Sequence, residues 1–251
     1  MSVKYRPLKK QEKDILLSNN CFADNWDNIL VSDSFKPATI NNTRFYGLNK
    51  LGNFTLSVEI RSGLFVPSGI HHTILSNTII GDNVYIDDVG LIANIVIQNN
   101  CIIRNTKEIT SFGASTFGNG LYINALNESG GRRIMIHEHL SLQQAYLMSI
   151  YRHDEDLIEK LGKLTKNFYE SQKNNISVIG ENSRIENCGV IKNVKTGGYS
   201  GVFGVTHLEN GTIQSTLESK TIIGEGSVLK DFIVQSGSYV GENVVLKHCF
   251  V

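Results

Sequence analysis

The chain has 251 residues, 41% of them hydrophobic and 19% charged, with 24 basic residues set against 24 acidic ones. That is enough apolar material for a sizeable core, and it excludes wholesale disorder. The even charge balance excludes a general electrostatic pull toward nucleic acid or an anionic membrane.

The N-terminal stretch "MSVKYRPLKKQEKDILL" carries basic residues but no apolar core of signal-peptide length. No apolar run approaches the ~20 residues that span a bilayer. The sequence therefore reads as that of a soluble, cytoplasmic protein with no membrane or nucleic-acid partner. Lys10–Leu17 reads as a short helix.

The rest of the chain is dominated by a repeat. "IGDNVYIDDVGL" begins at Ile80, "IGENSRIENCGV" at Ile179, "IGEGSVLKDFIV" at Ile223 and "VGENVVLKHCFV" at Val240. Aliphatic residues step by six, through Ile80, Ile86 and Ile92, then by five to Ile97; a full cycle takes 17 residues, from 80 to 97 and again from 223 to 240. Neither a helical period nor long alternation fits. A short strand plus a tight turn does, and three of these make one coil of about 18 residues that buries its aliphatic side chains only by stacking on its neighbours. Ile80, Ile86, Ile179, Ile185 and Leu229 are expected to point inward. Gly81, Gly180, Gly224 and Gly241, with Asn83, Asn182 and Asn243, are expected to supply the positive φ angles of the corners. Trp26, the only tryptophan, is the expected plug for the open end of the first coil. Cys21, Cys101, Cys188 and Cys249 lie far apart with no C-x-x-C pair, and read as buried small hydrophobes.

Between the repeat blocks, Ile109–Arg133 is glycine-rich and loop-like, with a strand at Leu121–Ala125. The segment after it reads as helix. Ser141 and Gln144 form a capping box. Leu142, Ala145, Tyr146 and Ser149 fall on one side, and Leu157, Leu161, Leu164 and Phe168 make a second stripe. Asp154 could cap a second helix, so one long helix and a helix–turn–helix fit about equally well.

The hexapeptide spacing resembles that of the left-handed β-helix proteins built on such repeats. The resemblance implies a mainly β fold: a left-handed parallel β-helix, or solenoid, interrupted by a helical insertion. The corresponding division is 1–59 for an N-terminal cap and irregular first coils, 60–110 for a first β-helix block, 111–175 for the glycine-rich loop and helical insertion, and 176–251 for a second block. Because the chain stops at Val251 in mid-rhythm, that block is expected to continue beyond it. "LNESGGRR" and then "LSLQQAYLMSIYRH", set between two such blocks, are similar to an uncharacterised family of bacterial left-handed β-helix proteins.

Enzymes with this resemblance are mostly trimeric acyltransferases. The implied function is a hexapeptide-repeat transferase acting on a sugar or nucleotide-sugar, with acyl transfer ahead of nucleotidyl transfer. It implies no tightly bound cofactor, acyl-CoA or an acyl carrier as co-substrate, and a homo-oligomer, a trimer by analogy. The rival reading is a non-catalytic solenoid scaffold or oligomerisation module of a longer protein. The implied mechanism uses a histidine to deprotonate an acceptor that attacks a thioester. The candidate bases are His153, in "YRHDED", and the adjacent pair His71 and His72, in "GIHHTIL". Candidate substrate-binding residues are Asn127, Gly130, Gly131, Arg132 and Arg133, where glycines let backbone approach a ligand and arginines fork onto phosphate, together with Tyr151 and Arg152. His137 and His139 share a face if "IMIHEHL" is a strand, but lack an evident third ligand, so no metal site is assigned.

Overall fold

Asparagine at the corners and an aliphatic residue every fifth or sixth position dictate the backbone path. The computed structural model describes residues 4–125 and 131–251. Asn42, Asn77, Asn83, Asn94, Asn100 and Asn105 all hold φ between 47° and 58°. Asparagine tolerates this left-handed conformation, because its short amide can bond locally. Each corner redirects a short strand, and the fold is mainly β, with one large and mostly parallel sheet of 19 strands.

Strands pair with the strand one cycle further on. Tyr85 pairs with Ile102 and Ala93 with Thr110, a step of seventeen residues along the whole of Tyr85–Ala93. The buried aliphatic residues thereby stack in columns. One runs Ile80–Ile97–Ile179, a second Ile86–Ile103–Ile185–Val202–Ile223–Val240, and a third Ile92–Ile109–Ile191–Leu208–Leu229–Leu246. The like-spelled copies at Ile179 and Ile223 therefore lie on different faces. Ile80, Ile86, Ile179, Ile185 and Leu229 are fully buried and belong to one continuous core.

From Ile40 onward, three insertions lengthen the step without breaking the columns. Ile40 pairs with Ile70 rather than with a residue seventeen on, because the antiparallel hairpin Ser57–Arg61 and Leu64–Pro67 intervenes. Ile103 pairs with Ile185, 82 residues on, so the two repeat blocks stack directly on each other. Leu208 pairs with Leu229, a step of twenty-one. Parallel pairing also reaches back to Phe22 and Ile29, where no repeat is spelled. Phe45, Thr43 and Asn49 fill inward slots there in place of aliphatics, and the hairpin disguises the period.

The corner glycines do something other than expected. Gly81, Gly180, Gly224 and Gly241 are not among the positive-φ residues. A Cβ on Gly180 would stand 2.3 Å from the backbone of Gly197, and one on Gly81 2.9 Å from the backbone of Asn99. Gly81, Gly180 and Gly224 need glycine because backbone one cycle further on approaches them closely, a different constraint from backbone freedom, whereas a Cβ on Gly241 would meet only Tyr239 at 3.8 Å.

Helix α1 (Lys10–Ser18) places Leu16, fully buried, in the core. Trp26 only leans on that core, with Lys13 5.5 Å above its ring. The central segment forms two helices, α2 (Leu142–Ile150) and α3 (Glu155–Gln172). Ser141 caps α2 by accepting from the Gln144 amide, and Asp154 caps α3 by accepting from Leu157. Ile134, Ile136, Leu140 and Met148 pack with Ile233 of the sheet, which docks this segment. The expected stripes hold only in part, since Ala145 and Leu161 pack there while Leu142, Tyr146 and Leu164 stay exposed. No helix among the described residues is long and apolar enough to cross a membrane.

Candidate functional site

The most chemically organised group sits where a corner column changes composition. The column runs Asn20, Asn42, His72, Asp88, Asn105 and Asn187, every member at positive φ. Asn20 donates from Nδ2 to Asn42 Oδ1 at 2.7 Å, and Asn105 donates to Asn187 at 3.0 Å. His72 and Asp88 are the two members that break this run of amides.

Because the backbone bends at His72, adjacent histidines face different surroundings. His71 is half-buried, its ring 5.8 Å from that of Tyr85. Burial lowers the His71 pKa, against the pull of the Asp87 charge. The side chain of His72 is 53% exposed, with Nδ1 3.1 Å from Asp87 Oδ1. Tyr85 donates its hydroxyl to the other carboxylate oxygen, Oδ2, at 3.0 Å. Burial, reinforced by that hydrogen bond, pushes the Tyr85 pKa up to about 12, so the phenol stays a donor.

Asp87 is thus held between a phenol and an imidazole. The Asn42 Nδ2 lies 3.2 Å from His72 Nε2. With the Asn42 amide nitrogen toward the ring and its oxygen accepting from Asn20, the matching tautomer has Nε2 accepting and Nδ1 donating to Asp87. This is an aspartate-oriented histidine whose second nitrogen, Nε2, is covered by the Asn42 amide. The surrounding open cleft, about 810 Å³, is lined by Asn20, Phe22, Arg44, Tyr46 and Thr73 among others. Phe22 and Tyr46 are exposed aromatics with ring centroids 6.1 Å apart.

A second polar group lies along the same strands. Glu186 is 5% exposed and accepts from Arg104 Nε at 2.7 Å and from Arg184 Nε at 2.8 Å. Burial alone would raise the Glu186 pKa; the two guanidinium groups outweigh it and hold it below the usual carboxylate range. Arg184 also donates to the carbonyls of Glu59 and Ile60 at 3.1 and 2.7 Å. Those bonds, with Val58, Ile60 and Val66 packed on Tyr85 and Ile102, clamp the hairpin to the sheet beside Tyr85.

The loop-and-helix candidates meet elsewhere. Arg152 donates from Nη2 to the carbonyls of Gly131 and Arg133, both at 3.1 Å. The Arg133 guanidinium lies 4.6 Å from the Tyr122 ring centroid, and both residues line a small cleft of about 190 Å³ with Arg152. Arg132 is exposed, and its carbonyl accepts from the Ala125 amide. His153 stacks on Tyr151 at 5.7 Å. Asn127 and Gly130 lie outside the described residues. The structure therefore brings Arg152, Gly131 and Arg133 together, puts His72 in a different cleft, and packs His71 against Tyr85 outside it. His137 and His139 both pack on Phe168, at 5.4 and 5.2 Å. Burial lowers the His137 pKa, outweighing the Gln144 side chain beside it, which pulls the other way.

Asp87, Tyr85 and Asn42 were not singled out by sequence reasoning. Asp87 reaches His72 because His71 pairs with Asp87 at a step of sixteen, one short of the repeat. "GIHHTIL" does not spell the repeat, so that pairing had no sequence signal. The double acid of "YIDD" was the available clue.

Comparison with known proteins places the chain. A family described as "Domain of unknown function (DUF4954)" matches residues 5–251. The chain belongs to that family. It is 29% identical over 247 residues to an "Uncharacterized protein" of Treponema pallidum (strain Nichols), covering 94% of this chain and 34% of that protein. The chain thus spans about a third of the length of the curated relative it matches. Among solved structures it is similar to the D94N mutant of AntD, an N-acyltransferase from Bacillus cereus in complex with dTDP and Coenzyme A. The identity is 14%, with 96% of this chain and 82% of that one covered, at a TM-score of 0.18. At that score the likeness carries no weight for fold or function.

Proposed function

We propose that this DUF4954 chain is a left-handed parallel β-helix that transfers an acyl group from a thioester to a hydroxyl or amine of a sugar or nucleotide-sugar, with His72 as base. The observation that carries the reading is the Tyr85–Asp87–His72 relay opening into the aromatic-lined cleft. The seventeen-residue parallel step supports the β-helix half of it.

The acceptor O–H or N–H takes the place of the Asn42 amide at His72 Nε2. Nε2 removes its proton as the oxygen or nitrogen bonds to the thioester carbonyl carbon. The imidazolium is stabilised by Asp87, whose orientation Tyr85 holds. Collapse of the tetrahedral intermediate breaks the C–S bond, and His72 returns the proton to the leaving thiolate. Acyl-CoA or an acyl carrier would supply the thioester. Phe22 and Tyr46 offer faces for a sugar or base ring, and Arg44 a planar donor for phosphate.

One observation favours the rival scaffold reading. His248 Nε2 lies 3.5 Å from Asp231 on another corner column, so a histidine–aspartate step also occurs away from this cleft. The test is release of free CoA from an acyl-CoA panel in the presence of nucleotide sugars, with mass spectrometry of the acceptor. Turnover that falls by about 10²-fold or more in His72→Asn supports the base. Turnover unchanged in that variant removes it, and no turnover across the panel puts the scaffold reading first.

A further inference from the structure

We propose that His72, Asp87 and Asp88 form a binding site for a divalent first-row transition ion of the zinc or manganese class. The ligand atoms of the three side chains lie within 4.8 Å of one another, and no other group of three such residues does so among the described residues. His72 Nδ1 is 3.1 Å from Asp87 Oδ1 and 3.8 Å from Asp88 Oδ1. Around an ion with bonds of about 2.0–2.2 Å, neighbouring tetrahedral ligands stand roughly 3.3–3.6 Å apart. The existing spacings bracket that value, and the exposed Asp88 side chain can swing the few tenths of an ångström needed.

The composition of the column supports the same assignment. The backbone at these corners is satisfied by asparagine, as at Asn42 and Asn105. His72 and Asp88 replace it at adjacent levels, beside a further carboxylate, and so collect one imidazole and two carboxylates. Two negative charges and a neutral ring match a divalent ion, and the mixed nitrogen–oxygen set suits zinc or manganese better than magnesium. Tyr85 on Asp87 Oδ2 supplies the outer hydrogen bond that keeps Oδ1 turned toward the imidazole. Arg104, the cation on the neighbouring strand, is committed to Glu186 at 2.7 Å. The column with Asp231 and His248 is the internal contrast. Lysines, Lys230 and Lys247, precede them where Asp87 precedes Asp88, and they would repel an ion.

Binding at Nδ1 moves the ring proton to Nε2, with no net proton released, and the Asn42 amide must then turn its oxygen toward the ring. The ring then has no lone pair for an acceptor, so the ion would inhibit acyl transfer. That inhibition alone rests on the acyl-transfer reading; the binding does not.

The experiment is titration calorimetry of ZnCl2 and MnCl2 into the full chain in chelator-free buffer, with MgCl2 for comparison. One site is expected, weaker by at least about tenfold in His72→Asn and in Asp88→Asn, about tenfold weaker in Tyr85→Phe, and unchanged in His248→Asn. Asparagine is the native residue of this column, and a thermal melt checks that each variant is folded. No saturable binding of either ion overturns the site. So does binding in His72→Asn and Asp88→Asn equal to that of the unaltered chain. Zinc binding without any acyl transfer leaves the metal site standing and removes the enzymatic reading.

Discussion

Asn105 donates its side-chain amide to Asn187 at 3.0 Å, although 82 positions separate them in sequence. The corner column crosses the central insertion without a break. Ser111 and Asn193 make the same connection on another corner, with the hydroxyl 3.2 Å from the amide oxygen. The insertion therefore leaves the stack at one corner and returns to it at the same level.

Joining Ser111 directly to Ser177 should restore the seventeen-residue step, because Ile95 pairs with Ser177 at a step of 82. The shortened chain is expected to fold with its helical circular dichroism largely lost and its cooperative melt retained. It should be less stable, since Ile233 loses its cover; re-exposing one large aliphatic side chain costs about 1.5–3 kcal/mol. A shortened chain that melts without cooperativity would mean that the two blocks need the insertion to stack.

Ile185 sits fully buried between Ile103 and Val202. Ile185→Ala should destabilise the protein by about 2–5 kcal/mol, from lost burial plus the cavity left behind. Denaturant unfolding reads this as a lower midpoint at unchanged slope. An unchanged midpoint would place the register wrongly.

The repeat's spacing made Ile80, Ile86, Ile179, Ile185 and Leu229 legible as core, because burial on a stacked strand is set by local period. It could not show which face each copy occupies. Counting along the chain is obscured by insertions of thirteen, sixty-five and four residues beyond the seventeen-residue step, which the pairing absorbs without breaking a column. Ser141 and Asp154 were readable as caps, because capping is a local hydrogen bond. Asp87 beside His72 was not, since their meeting depends on a sixteen-residue step that no like-spelled copy marks. Gly81, Gly180 and Gly224 were legible as special positions but for the wrong reason, because close approach between paired segments leaves no trace in the sequence of either one.

The thiols should differ sharply in reactivity. Burial pushes the Cys101 pKa up to about 12 and the Cys188 pKa up to about 11. Cys249 is only partly buried, and burial raises its pKa as well. At pH 8, alkylation read by mass spectrometry should modify Cys249 first, and Cys101 and Cys188 only on unfolding. Early modification of Cys101 in the folded protein would contradict its place in the core.

Two groups should give acid sensitivity in separate pH ranges. His137 is 7% exposed, and burial depresses its pKa below the ordinary 6.5. The unfolded chain then binds a proton more readily than the folded one as pH falls below about 6.5. Stability is complete above that value and declines as pH drops through the folded pKa. Glu186 has its pKa depressed from the ordinary 4.5, because Arg104 and Arg184 outweigh the burial that opposes them. Its contribution is complete above about 4.5 and declines as pH falls through its own lower folded value. Unfolding free energy measured from pH 8 to pH 3 should therefore fall in two stages. His137→Leu should flatten the upper stage and leave the lower. Glu186→Gln should flatten the lower stage while lowering stability at pH 7 by about 1.5–3 kcal/mol, since a charge-assisted pair of bonds is weakened. An upper stage that persists in His137→Leu would assign it to another group, with the half-buried His71 the next to test.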